Sequence, residues 1–250
     1  MSMKKISAFS RLRGFTLMET LLAVALVGVM LSIFLTVFVP ARGLVRQALT
    51  RQESERITGI LRAEINTLRG DEMAKDAKVS TPDKYLTTFD KGFYWLKKSA
   101  RPSSSIVIFS YRADLSKSPR ADGSFPPIPA GKSVPGKNMQ LVSIACPMDD
   151  PLHRNDIRDA VGPVFLVKMT QLKHQKDGVY LKLKNPGVIH EANKPEDFVS
   201  EPGKADAWGG VVFCRADFYH MNPPNPARYK GKKWEKLGRP LFSANFSFRR

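Results

Sequence analysis

One stretch limits what this chain can become: the apolar run from Phe15 to Val39. It holds 25 residues, and Glu19 is the only charged one. Its hydroxyl side chains, Thr16, Thr20, Ser32 and Thr36, are ones that a helix satisfies against its own carbonyls. About 20 apolar residues carry a helix across a bilayer, and a helix keeps every backbone group hydrogen-bonded there. Lys4, Lys5, Arg11 and Arg13 precede the run, and residues 1–14 contain no acid. That flank predicts a cytoplasmic N-terminus and an exported remainder. A cleavable secretory signal fits poorly. Its apolar core has only about 7–15 residues and ends at a small-residue site, and Ala41-Arg42-Gly43 is not such a site.

Glu19 is the anomaly in the run. A carboxylate inside a membrane helix costs about 2.5–3.5 kcal/mol on insertion scales, so a plain anchor would omit it. The span offers no cationic partner. A cut between Gly14 and Phe15 would create one, because the Phe15 α-amine would become a cation four residues before Glu19, about 6 Å along a helix. Glu19 could then pair with its own amine or with that of the next subunit.

At these residues the chain resembles the type IV pilin and pseudopilin family. The likeness rests on Gly14, Phe15 after it, Thr16-Leu17, and Glu19 at the fifth position of the shortened chain, together with the basic leader and the unbroken apolar run. It covers residues 4–39, and more loosely the helix to residue 69. It implies cleavage after Gly14 by a prepilin peptidase and N-methylation of Phe15 by the same enzyme. It implies registration of subunits in a helical filament through Glu19. It further implies partners: other pilins or pseudopilins, an inner-membrane assembly platform, and membrane lipid. Pro40 stands slightly later than the proline that family members often carry.

The rest of the chain reads in order. Residues 1–14 are a cytoplasmic leader that is cleaved, and 15–39 are the transmembrane helix. Leu44, Ala48, Ile57, Ile60, Leu61, Ile65 and Leu68 continue at helical spacing, with charged residues between them. Residues 40–70 are therefore an amphipathic continuation ending near Gly70. Taken together, 15–69 would be one helix of about 55 residues and about 80 Å. The remaining segment, 71–250, is about 180 residues, enough for a buried core, and its period is two. Strands are expected at 93–96, 105–111, 139–146, 164–169, 179–183, 210–219 and 241–248. The proline-rich stretches 113–138, 185–209 and 222–240 read as loops. The predicted class is α+β: a long N-terminal helix whose distal half packs on an antiparallel β-sheet head, an architecture resembling a pilin.

Cys146 and Cys214 lie in strand-like runs. Export would permit a disulfide between them, but two buried thiols look the same in sequence. Asp149, Asp150, Asn155, Asp156 and Asp159 supply oxygens of the kind calcium takes. Their spacing departs from an EF-hand loop, however, and Arg154 and Arg158 stand among them. The segment reads as a polar loop, and no metal site is predicted. Phosphate loops, Gly-x-Ser-x-Gly elbows and His-Glu-x-x-His motifs are all missing, and His153, His174, His190 and His220 are scattered. No catalytic residue or cofactor is expected.

The net charge of +17 falls to +13 without the leader, a balance that favours solubility and non-specific contact with anions. The densest basic segment carries Lys230, Lys232 and Lys233, with Trp234 beside them. Charge and stacking make these residues the candidate polyanion contact. The expected function is therefore structural. The chain reads as a minor or tip pseudopilin, of the J type, in a type II secretion pseudopilus or a type IV pilus-like filament, anchored by one pass in a bacterial inner membrane with a periplasmic head. The alternative is a minor pilin of a DNA-uptake or adhesion filament that grips nucleic acid or an acidic glycan through the basic loop.

Overall fold

The computed structural model describes residues 16–73, 84–129, 138–174, 180–182, 185–190 and 211–249. The protein is of the mixed α+β class. Helix α1, Leu17–Ile65, is continuous through Pro40, and α2 is Thr88–Lys98. The strands are β1 (Ile106–Asp114), β2 (Met139–Pro147), β3 (Phe165–His174), β4 (Tyr180–Lys182), β5 (Val211–His220) and β6 (Phe242–Arg249). Two compact units divide the chain, residues 1–53 and 54–250.

In the first unit, residues 17–34 form an apolar helical segment long enough to cross a membrane. None of that stretch is buried: Leu22, Val27 and Ile33 are 65%, 65% and 61% exposed. Thr20, Ser32 and Thr36 donate their hydroxyls to carbonyls of the preceding turn, as a helix in an apolar medium requires.

In the second unit, the sheet order is β2-β1-β3-β5-β6, and β4 pairs with β3. Every pair is antiparallel. Both faces of the sheet are covered. Ile106 and Ile108, Val167 and Met169, and Cys214, Ala216 and Phe218 join one cluster with Ile57, Leu61 and Ile65 of α1 and Phe89, Phe93 and Leu96 of α2. The alternate residues Val107, Phe109, Tyr111, Cys146 and Leu166 join a second cluster with Ile157, Tyr229 and Trp234 from loops. Two-sided burial explains why β1 reads as an unbroken apolar run rather than an alternating one. Each large side chain so buried contributes about 1.5–3 kcal/mol before entropy is counted.

One predicted strand is a helix. Phe93-Tyr94-Trp95-Leu96 lies inside α2, whose first turn is closed by a reciprocal cap. Thr87 Oγ1 accepts from the Asp90 amide, and Asp90 accepts from the Thr87 amide at 2.9 Å. Phe89, Phe93 and Leu96 then share a helical face, which overrides the strand preference of aromatics. Gly92 lets that face approach the sheet closely: a Cβ there would stand 2.9 Å from the Phe248 ring. In the loop after β1, Phe125 packs against the second cluster and Ile128 donates its amide to the Arg112 carbonyl, while residues 115–119 are exposed.

Candidate functional site

The motif residues divide at the edge of the described structure. Gly14 and Phe15 lie outside it. Glu19 lies inside and closes the first turn of α1. Its Oε2 accepts from the Thr16 amide at 2.8 Å and from the Thr16 hydroxyl at 3.1 Å, while its own amide donates to Thr16 Oγ1 at 3.3 Å. This is the reciprocal cap of α2 repeated at the head of an apolar helix. The carboxylate is thereby turned back toward the chain's N-terminal side. Among the described residues it has no cationic partner.

At the other end of α1 the charges are paired. Glu64 receives two parallel hydrogen bonds from Arg69, both 2.8 Å, and a third from Lys91 at 3.0 Å. Lys91 is fully buried. It also donates to Glu72 at 2.7 Å and to the Thr67 carbonyl at 2.9 Å, and it stands 4.9 Å above the Trp95 ring. The third nitrogen of Arg69 reaches Asp122 at 2.9 Å. Asp122 in turn holds His153 Nε2 at 2.8 Å, and the other ring nitrogen of His153 meets Asp156 at 3.0 Å. Arg120 closes the chain on Asp156 with two hydrogen bonds. Four cations thus alternate with four carboxylates, joining the end of α1, α2 and two loops of the head.

The electrostatics follow from that pairing. Burial alone would push His153 down, but its hydrogen bonds to Asp122 and Asp156 win and raise it to about 9. Burial would push Asp122 up, but His153 and Ser124 hold it well below the usual carboxylate range. Asp156 is lowered in the same way: burial opposes ionisation, and Arg120 and His153 outweigh it. Both ring nitrogens of His153 are engaged by carboxylates, which favours its protonated form. Asp156, one of the acids of the 149–159 loop, is committed to Arg120 and His153. No group of three metal-ligating side chains suited to an ion occurs among the described residues.

Neither a protein-family model, nor a curated protein, nor a solved structure matches the chain.

The two cysteines are free and buried. Cys214 belongs to the cluster on the helix face of the sheet and Cys146 to the cluster on the other face. Strands β1 and β3 separate β2 from β5, a spacing of roughly 14 Å between strand axes. A bridge needs Cα atoms within about 7 Å, so of the two readings left open, bridged or free, the structure has two free thiols. Burial pushes both thiols well above their ordinary value.

The basic loop is split as well. Lys230, Lys232 and Lys233 are exposed, whereas Trp234 is 4% exposed. Its ring packs 5.4 Å from that of Tyr219, and its indole N–H donates to the Ser99 carbonyl at 2.9 Å. It is a core anchor and offers no stacking platform, which corrects its expected role. The paired cluster escaped sequence reading because its members, Glu64, Arg69, Glu72, Lys91, Arg120, Asp122, His153 and Asp156, come from four separate segments. The one local hint was Glu64 and Arg69 near a helix end.

Proposed function

We propose that the chain is a structural subunit, a minor or tip pseudopilin, of a type II secretion pseudopilus or type IV pilus-like filament. The observation that carries this reading is a wholly exposed apolar helix, Leu17–Phe34, whose single charge is Glu19, directly after Gly14-Phe15. Such a surface needs lipid or other apolar helices to cover it. A lone carboxylate held at its first turn needs a cation from outside the described residues. The Phe15 amine freed by a prepilin peptidase is that cation in the proposed filament, and Glu19 already sits at the amide of the next residue, Thr16.

In this mechanism the helix waits in the inner membrane with the head in the periplasm. Pairing of Glu19 with a neighbour's Phe15 amine selects the register as helix–helix packing replaces lipid. The β-sheet head with the distal turns of α1 in its core supports the same reading. Its large, loop-rich build suits a minor position better than a densely tiled one.

Intact mass and N-terminal sequencing of the protein from native membranes test the reading. A mature chain beginning at N-methylated Phe15 is expected; a chain still beginning at Met1 would overturn it. Glu19→Ala is expected to insert normally and to be lost from filaments.

A further inference from the structure

Three turns of the head meet around a groove of about 410 Å³. They are the turn after α2 at 100–101, the turn at 185–187, and residues 231–235. They are locked to one another. Trp234 donates its indole N–H to Ser99, next to the first turn. Gly187, at φ +79°, fits so closely that a Cβ would lie 2.4 Å from the Cβ of Ala100. The groove is thus built before any ligand arrives, and its volume falls in the range of ordinary ligand sites, about 300–1,000 Å³.

Arg101, Lys232 and Lys233 line it, together with Asn185 and Glu235. The contrast with the paired cluster is informative. There each cation has a carboxylate within hydrogen-bonding distance. Here Arg101 and Lys233 have no ion pair among the described residues, and Lys232 lies 4.9 Å from the Tyr229 ring. Three cations against one carboxylate, Glu235, leave the groove net positive, which does not stabilise the fold but favours an anionic ligand.

The lining also narrows the ligand class. Trp234 is turned inward, so bases find no aromatic face to stack on, which disfavours single-stranded nucleic acid. Glu235 repels any anion, and a dense row of phosphates more than carboxylates spaced one to a sugar. Yet Glu235 and the Asn185 amide are suited to hydroxyls placed beside carboxylates. We infer that this groove binds an acidic oligosaccharide, its carboxylates held by Arg101, Lys232 and Lys233 and its hydroxyls by Asn185 and Glu235.

The test is calorimetric titration of the full chain, in a neutral detergent, with tetragalacturonate. Saturable binding is expected at about 0.01 M salt and weaker binding at about 0.15 M, where screening is stronger. Arg101→Glu and Lys233→Glu should each weaken it by at least about tenfold, the scale of one charge-assisted hydrogen bond. Asn185→Ala should weaken it less, and Lys117→Glu, outside the groove, should not. A neutral galacto-oligosaccharide should not bind.

No binding, or equal loss in the Lys117→Glu control, would overturn the proposal. Tighter binding of a single-stranded oligonucleotide of equal charge would assign the groove to nucleic acid instead. Tighter binding of phosphatidylglycerol vesicles, in the same Arg101- and Lys233-dependent way, would assign it to lipid headgroups. Thermal unfolding of each variant separates lost contacts from lost structure. Binding is read without reference to processing at Gly14, so failure here and failure of the filament reading are distinguishable.

Discussion

Glu19 and Glu64 belong to the same helix and show two ways of satisfying a carboxylate. Glu64, in the last turns, is surrounded by partners supplied by its own chain, Arg69 and Lys91. Glu19, in the first turn, has only the local hydrogen bonds of a cap. The first charge completes a fold and is satisfied within it. The second has only Thr16 as a hydrogen-bond partner and no cation among the described residues. Glu64 has its counter-charges within the described residues, and Glu19 has none there.

The largest expected effect breaks the first half of this contrast. Lys91→Met leaves Glu64 and Glu72 without their shared buried cation and should destabilise the head by about 3–5 kcal/mol. Glu19→Gln should leave the denaturant midpoint of the head unchanged. Similar midpoints for the two variants would erase the distinction.

The next effect depends on pH. His153 is raised to about 9 in the folded protein, against an ordinary 6.5. Below 6.5 both states are protonated and its contribution is complete. As pH rises from 6.5 to 9, the unfolded chain releases its proton while the folded chain keeps it, so stability falls by at most about 3 kcal/mol. Asp122 and Asp156, both lowered, act in the opposite direction. Their contribution is present above the ordinary carboxylate value of 3.8 and is lost as pH falls below it. Unfolding followed from pH 6 to pH 10 should show the alkaline loss in the native chain and a flatter profile in His153→Gln.

Gly92→Val tests the packing of α2 on the sheet. Its side chain must displace the Phe248 ring, at a cost of about 1–3 kcal/mol. Unchanged thermal unfolding would mean that α2 lies farther from β6. The smallest effect concerns the thiols. Cys146 and Cys214 should resist a thiol reagent until the head unfolds, and adding reductant should not move the midpoint. A reductant-sensitive midpoint would place the two cysteines on one face of the sheet.

Local signals made much of this molecule legible in advance. Twenty-five residues with one charge read as a helix long and apolar enough to cross a membrane, and the stripe of Ile57, Leu61 and Ile65 set the face that enters the core. Six of the strands follow from β-branched and aromatic runs between proline-rich loops, and these strands sit within a few residues of expectation. The alternation of Phe242, Ala244, Phe246 and Phe248 placed all four toward one cluster.

Other features depended on what folding brings together. Aromatic composition at 93–96 suggests a strand, but the Thr87–Asp90 cap and the burial of Phe89 and Phe93 decide for a helix. The two cysteines look alike in sequence, and only the assembled sheet sets them three strands apart and in clusters on opposite faces. Trp234 among lysines looks like a stacking surface until Ser99 draws its indole inward. His153 reads as one histidine among four until loops 36 residues apart in sequence, carrying Arg120 and Asp156, converge beside it. Periodicity and composition act over one turn or one strand and can be read along the chain. Pairing of charges, thiols and rings acts across segments, over distances that exist only after the sheet has assembled.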